Sequence, residues 1–121
     1  MPRAGAAQPI VVLGAGGFGR EVADVVHAVN EAAAEPLWEL LGYVDDGSPD
    51  EQLLARRDER LVGTSADLPR LAPAAFVVAV GDPRVRRRLA ELAVAAGLRP
   101  AVLVHPSATF GRDSGRPSIR R

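Results

Sequence analysis

Short, mostly apolar runs along the chain alternate with longer stretches of helical spacing. The short runs occupy residues 10–13, 38–44, 61–63, 75–80 and 101–104. A short apolar run bounded by turn residues is typical of a strand that is buried on both faces. Glycine follows the first and the fourth run, at Gly14 and Gly81, so the same strand-to-turn arrangement occurs twice. The pattern predicts short strands separated by helices and loops.

Two longer stretches have the spacing of amphipathic helices. In the first, one side of the helix is apolar and the other polar, with Phe18, Val22, Val25, Val26, Val29 and Ala33 opposite Arg20, Asp24, His27 and Glu31. In the second, Asp82 is a predicted N-cap, Pro83 the first helical residue and Gly97 the C-terminal stop. Strands that alternate with such helices predict an α/β fold: a Rossmann-like three-layer domain with a short parallel sheet and helices on both faces.

The remaining segments are polar and set the limits of the domain. Residues 47–60 predict a surface loop with space for one helical turn. Thr64 is the predicted cap of a small helix that follows it. Residues 9–110 are expected to form one domain, whereas the polar, glycine-bearing segment at 111–121 is expected to be a disordered or truncated tail.

The composition narrows the classes of function. Of the 121 residues 47% are hydrophobic, and the 15 basic residues, all arginine, balance 15 acidic ones. A neutral chain is not drawn as a whole to nucleic acid or to an anionic membrane, so neither is an expected partner. Without cysteine there is no disulfide or cysteine metal site, and no apolar run approaches the roughly 20 residues that span a bilayer. A cytoplasmic protein is expected.

The turn after the first strand carries the strongest candidate chemistry. Its residues are Gly14, Ala15, Gly16, Gly17, Phe18 and Gly19, a G-x-G-x-x-G pattern between a predicted strand and a predicted helix. In this setting the first glycine permits a tight turn, the second lets a ligand approach the backbone, and the third lets the helix pack closely. Free amides at the helix start attract a diphosphate without any lysine. The alternative is a tight connection with no ligand.

Two pairs of residues follow other strands and have a structural as well as a binding interpretation. Asp45 and Asp46 suit hydrogen bonds from ribose hydroxyls or from a base edge, or an Asx turn into the following glycine. Gly81 and Asp82 end a central strand, where ligands gather in parallel sheets, but Asp82 also suits a helix cap. The sequence leaves both alternatives open.

Other polar residues carry no catalytic prediction. His27 is expected on the surface, and His105 has no acid or nucleophile beside it in the sequence pattern. Four arginines, at 84, 86, 87 and 88, are expected to form a solvated helix face. Because no carboxylate pair, Ser-His-Asp set or metal-ligand spacing is evident, no catalytic residue and no metal site are predicted.

Taken in order, several motifs resemble a known family. They are Gly14-Ala15-Gly16-Gly17-Phe18-Gly19-Arg20-Glu21, Gly42-Tyr43-Val44-Asp45-Asp46, Val62-Gly63, Val78-Ala79-Val80-Gly81-Asp82 with Arg86, and His105-Pro106-Ser107-Ala108. The set resembles the N-terminal, PglD- and NeuD-like domain of bacterial sugar O- and N-acetyltransferases, which acetylate amino sugars or sialic acid. The likeness covers about residues 9–110.

The resemblance implies a substrate-holding domain for a UDP-type nucleotide sugar. The glycine turn would lie on the diphosphate and Asp45-Asp46 near the nucleotide. In such families a second domain, a left-handed β-helix of hexapeptide repeats, binds acetyl-CoA and carries the catalytic histidine. No such repeat pattern follows Phe110. The expectation is therefore that the 121 residues hold substrate but contain neither cofactor site nor catalytic residue, and work with a separate acyltransferase domain.

Two other functions fit parts of the same sequence. The glycine turn and an acid after the second strand also serve NAD, which would make the chain a fragment of an oxidoreductase. A dehydrogenase needs a substrate domain and a proton donor as well, and the length argues against one. The other alternative is a folded remnant that serves as a scaffold without a ligand.

Overall fold

The computed structural model describes residues 6–107 and the backbone of Ile119–Arg120. The strands are β1 (Gln8–Leu13), β2 (Trp38–Val44), β3 (Leu61–Gly63), β4 (Ala75–Val78), β5 (Arg99–Pro100), β6 (Leu103–Val104) and β7 (Ile119–Arg120). The helices are α1 (Gly17–Ala32), α2 (Glu51–Arg56), α3 (Leu68–Leu71) and α4 (Pro83–Ala95), with one turn of 3₁₀ helix at Ser65–Asp67.

Five strands form a parallel sheet in the order β3-β2-β1-β4-β5. The first strand lies at the centre, and the order runs outward from it in both directions. All carboxyl ends of the strands therefore meet at one edge of the sheet. The predicted α/β class, with a parallel sheet and Rossmann-like order, is confirmed.

The sheet separates two hydrophobic cores, and β1 contributes to both. Ile10 and Val12 belong to the core that contains α1 and α2, whereas Val11 and Leu13 belong to the core that contains α3 and α4. All four side chains are fully buried. Since alternate residues of a strand point to opposite faces, a continuous apolar run is what a two-sided strand needs. The predicted three layers follow from this arrangement.

The structure corrects the prediction at the last strand. The strand predicted at 101–104 is confirmed only at Leu103–Val104, as β6, and it pairs with β7 outside the main sheet. The place beside β4 in the main sheet is taken by β5, at Arg99–Pro100. Both β5 residues are exposed, so no hydrophobic pattern marks this strand. Backbone bonds fix it instead, from the Arg99 amide to the Ala74 carbonyl at 3.2 Å and from the Ala101 amide to the Phe76 carbonyl at 2.9 Å.

Smaller differences concern the ends of elements. β4 stops at Val78 rather than at Val80, and the predicted loop at 47–60 contains α2, whose N-cap Asp50 accepts a hydrogen bond from the Leu53 amide at 3.0 Å. Most of the predicted disordered tail at 111–121 lies outside the described residues, but two of its residues form β7. Among the helices that the structure describes, none is both long and apolar enough to cross a membrane.

Candidate functional site

The glycine turn brings the end of β1 against neighbouring backbone on two sides. Gly14 has a φ of +119°, and a Cβ there would lie 2.6 Å from the Ala79 carbonyl oxygen. A Cβ on Gly19 would overlap the carbonyl oxygen of Gly14. These two glycines are therefore required by packing, because α1 begins directly over the end of β1.

The start of α1 is built to face solvent. Gly16 is the N-cap, makes no side-chain cap, and is exposed together with Gly17. Apart from its own neighbours in the chain, no described residue has an atom within 4 Å of a Cβ built at Gly16. The first amides of a helix have no acceptor within it and form the positive end of its dipole. This surface is therefore suited to an anion. Phe18 is half-buried and packs against the α1 core.

Asp45 ties the end of β2 to the glycine turn. One carboxylate oxygen accepts from the Ala15 amide at 2.9 Å, and the other accepts from the Gly47 amide at 2.7 Å. The bond from the Gly47 amide closes an Asx turn, which is the structural interpretation of Asp45. Asp46 accepts from the Ser65 amide at 2.7 Å and so anchors the 3₁₀ turn. Both acids hold the backbone that surrounds the turn, which leaves a ligand role for them a prediction.

We expect Asp45→Ala to lower the free energy of unfolding by about 2 kcal/mol, because two backbone amides lose their acceptor. Urea unfolding followed by circular dichroism would measure the loss, and Asp46→Ala, which removes one such bond from an exposed site, is the matched control. Titration of the same variants with UDP addresses the ligand role. A variant that loses stability but keeps its UDP affinity would contradict contact of Asp45 with the nucleotide.

The end of β4 and the start of α4 form the second half of the site. The Asp82 carboxylate accepts from the Arg84 amide at 2.8 Å and, more weakly, from the Val85 amide at 3.4 Å, so the capping interpretation is observed. The Arg86 guanidinium donates to the carbonyls of Val80 and Gly81 at 3.2 and 3.3 Å. Arg86 therefore does not belong to a purely solvated face, which corrects the expectation for one of the four arginines.

A cleft of about 280 Å³ lies at the carboxyl edge of the sheet on the α4 side. It is lined by Gly14, Val44, Asp45, Asp46, Gly47, Val80, Val85, Arg88 and Leu89. The cleft joins residues from the ends of β1 and β2 with the first turns of α4. Three predicted site residues, Gly14, Asp45 and Asp46, thus meet in one place, and Gly16, Gly17, Gly81 and Asp82 are exposed at the helix starts that follow β1 and β4. In parallel sheets, ligands bind at this edge beside the central strand.

A partly buried polar cluster lies between α1 and β2, away from the glycine turn. The Glu59 side chain is only 3% exposed and accepts hydrogen bonds from the Tyr43 hydroxyl at 2.6 Å and from Arg57 Nε at 2.7 Å. His27 Nε2 lies 2.8 Å from the other Glu59 oxygen. Arg57 also donates to Asp24 at 2.8 Å. The cluster borders a wider depression of about 440 Å³ beside β2.

The charges of this cluster shift its pKa values. Burial raises the pKa of Glu59, but hydrogen bonds from Arg57, Tyr43 and His27 outweigh burial and hold that pKa below its ordinary value. Burial and the adjacent Glu59 carboxylate raise the pKa of Tyr43. Sequence reasoning missed Glu59, which lies in a run of charged residues. These polar side chains are hydrogen-bonded to one another. The cluster therefore has a structural role, because it joins α1, β2 and the segment before β3.

Residues 9–93 match the family model described as the PglD N-terminal domain. The chain belongs to this family. The resemblance inferred from the ordered motifs is thereby confirmed. A comparison with curated proteins found no significant match.

Solved structures of sugar acetyltransferases share the fold. The acetyltransferase domain of PglB from Neisseria gonorrhoeae FA1090 in complex with acetyl coenzyme A is 32% identical, with a TM-score of 0.64 over 84% of this chain and 45% of that chain. PerB from Caulobacter crescentus in complex with CoA and GDP-perosamine is 25% identical, with a TM-score of 0.68 over 88% of this chain and 47% of that chain. The 121 residues span less than half the length of these neighbours.

Proposed function

We propose that this PglD N-terminal domain binds a nucleotide-activated sugar, with a UDP-sugar as the first ligand to test, for an acetyl-CoA-dependent sugar acetyltransferase. The observation that carries the proposal is the exposed start of α1 beside a cleft at the carboxyl edge of the sheet. Family membership supports it, as does the GDP-perosamine complex of PerB, a neighbour with the same fold.

The ligand is proposed to lie across two adjoining surfaces. The diphosphate sits against the exposed backbone at Gly16 and Gly17, where the helix dipole and unsatisfied amides favour an anion. The nucleoside enters the cleft, whose walls combine apolar side chains with Asp45 and Asp46. In this arrangement the negative diphosphate lies against the positive end of the α1 dipole. The planar base of the nucleoside lies against the apolar side chains of the cleft.

Acetyl transfer is proposed to need more than these residues. The domain corresponds to less than half of each neighbouring acetyltransferase chain. Acetyl-CoA and the catalytic group therefore belong, in this proposal, to an acyltransferase domain beyond the PglD N-terminal domain. The role of the described residues is to hold and orient the sugar nucleotide.

Replacing Gly16 by leucine tests the binding surface. Because no described residue apart from its chain neighbours has an atom within 4 Å of a Cβ at this position, we expect Gly16→Leu to fold and to lose at least tenfold in UDP-sugar affinity, since the side chain blocks approach to the backbone. Calorimetric titration with UDP, a UDP-amino sugar and NAD measures the effect. Thermal shift with the same ligands supplies a second readout, because a bound ligand raises the melting temperature.

Ala95→Leu is the matched control, because it adds an exposed leucine at the far end of α4. It should bind like the wild-type chain. Unchanged affinity in Gly16→Leu would mean that the turn is only a connection between β1 and α1. Tighter binding of NAD than of UDP would favour the oxidoreductase alternative and overturn the proposed function.

A further inference from the structure

We propose that Arg88 selects the base of the nucleotide, favouring an oxo base, uracil or guanine, over an amino base, cytosine or adenine. This inference rests on the proposed function and assigns a specificity-determining residue within the same cleft. Arg88 lies on α4 and lines the cleft together with Asp45 and Asp46. It was expected to be a solvated side chain.

The lining of the cleft is suited to a planar base. Val80, Val85 and Leu89 supply apolar walls on the α4 side, and Val44 supplies another at the end of β2. Apolar walls with a few placed polar groups are the usual composition of small-molecule sites. The apolar walls favour any base equally, so discrimination between bases must come from the polar groups of the lining.

The other charged groups near the cleft make hydrogen bonds to backbone. Both carboxylate oxygens of Asp45 accept from backbone amides, and one oxygen of Asp46 accepts from the Ser65 amide. Arg86 follows Val85, a residue of the cleft lining, in the sequence. Its guanidinium donates hydrogen bonds to the carbonyls of Val80 and Gly81. Arg88, in contrast, has neither a hydrogen bond nor an ion pair with any residue that the structure describes. Its guanidinium is the one basic group of the lining, and it is available to a ligand.

The chemistry of the guanidinium sets the preference. Arginine offers five N–H donors and no acceptor. Guanine presents a carbonyl oxygen where adenine presents an amino group, and uracil differs from cytosine in the same way. A donor-only side chain gains a hydrogen bond from the carbonyl and meets an unfavourable donor–donor contact at the amino group. One side chain therefore separates the two classes of base.

Base preference is measured by calorimetric titration of the 121-residue chain with UDP, GDP, CDP and ADP. We expect the wild-type chain to bind UDP and GDP about tenfold more tightly than CDP and ADP. Arg88→Met should lose this preference by weakening UDP and GDP about tenfold while changing CDP and ADP little. Arg87→Met, which removes the adjacent exposed arginine, should behave like the wild-type chain.

A lysine variant separates a base contact from a phosphate contact. Lysine is also a charged, donor-only group but lacks the planar fork, so for a base contact Arg88→Lys should keep the preference for UDP and GDP at reduced size, whereas for a phosphate contact it would restore all four nucleotides equally. Equal loss of all four nucleotides in Arg88→Met, restored by lysine, would show a phosphate contact and overturn the inference. Unchanged affinities would show a solvated side chain and overturn it too. Wild-type protein that binds none of the four would overturn the proposed function along with it.

Discussion

Gly19→Ala is expected to lower the free energy of unfolding by about 3 kcal/mol, because its methyl group would overlap the carbonyl oxygen of Gly14. Neither atom can move away alone, since one belongs to the first turn of α1 and the other to the turn that ends β1. The helix must shift off the sheet instead. Urea unfolding monitored by circular dichroism measures the effect.

Gly16→Ala provides the comparison within the same turn. Its φ of −83° is accessible to alanine, and the new methyl group meets no described residue within 4 Å apart from its chain neighbours. The loss should stay below about 1 kcal/mol, the usual cost of a weaker N-cap. Similar stability of the two variants would refute the close packing of α1 on β1.

Glu59→Gln is expected to cost about 2 kcal/mol, because it leaves Arg57 and Tyr43 facing a neutral amide inside a nearly buried cluster. Thermal and urea unfolding measure the loss. Glu31→Gln removes an equal charge from an exposed position on α1 and should change stability by less than about 0.5 kcal/mol. A Glu59 variant as stable as the Glu31 variant would show that the cluster adds nothing to folding.

The same substitution should change the response to acid. The pKa of Glu59 is lower in the folded chain than in the unfolded one, so its contribution is complete above the unfolded value. That contribution is lost as the pH falls through the folded pKa. The stability difference between wild type and Glu59→Gln should therefore be largest near neutrality and shrink below about pH 4. A difference that is constant with pH would contradict this coupling.

Much of the fold was accessible to sequence reasoning because it depends on local signals. The bounds of β2 and β3 were predicted correctly, and Asp82 caps α4 as expected. β5 was missed because its position depends on hydrogen bonds to β4 and not on an apolar pattern. The cap at Asp50 was present in the sequence, but the charges around it favoured a loop.

The candidate site was predictable only in part, for a related reason. Gly14 and Asp45 belong to motifs that are contiguous in the sequence, so their place at the edge of the sheet follows from the order of strands. Arg88 and Arg86 have the same charge and lie half a turn apart on α4, yet one lines the cleft and the other holds backbone carbonyls. Glu59 pairs with His27 across 32 positions. Such pairings depend on tertiary packing, which no local pattern encodes.

The central place of β1 has a consequence for the biosynthesis of the protein. Within this domain β1 is made before β4, which is its second neighbour in the sheet, and Ile10 pairs with Ala75. A nascent chain that ends before residue 75 exposes one edge of the central strand, a surface prone to pairing with other chains. Stable folding of this domain therefore waits until β4 has been made, and ribosome-bound chains that end before residue 75 should depend on chaperones and be sensitive to proteases.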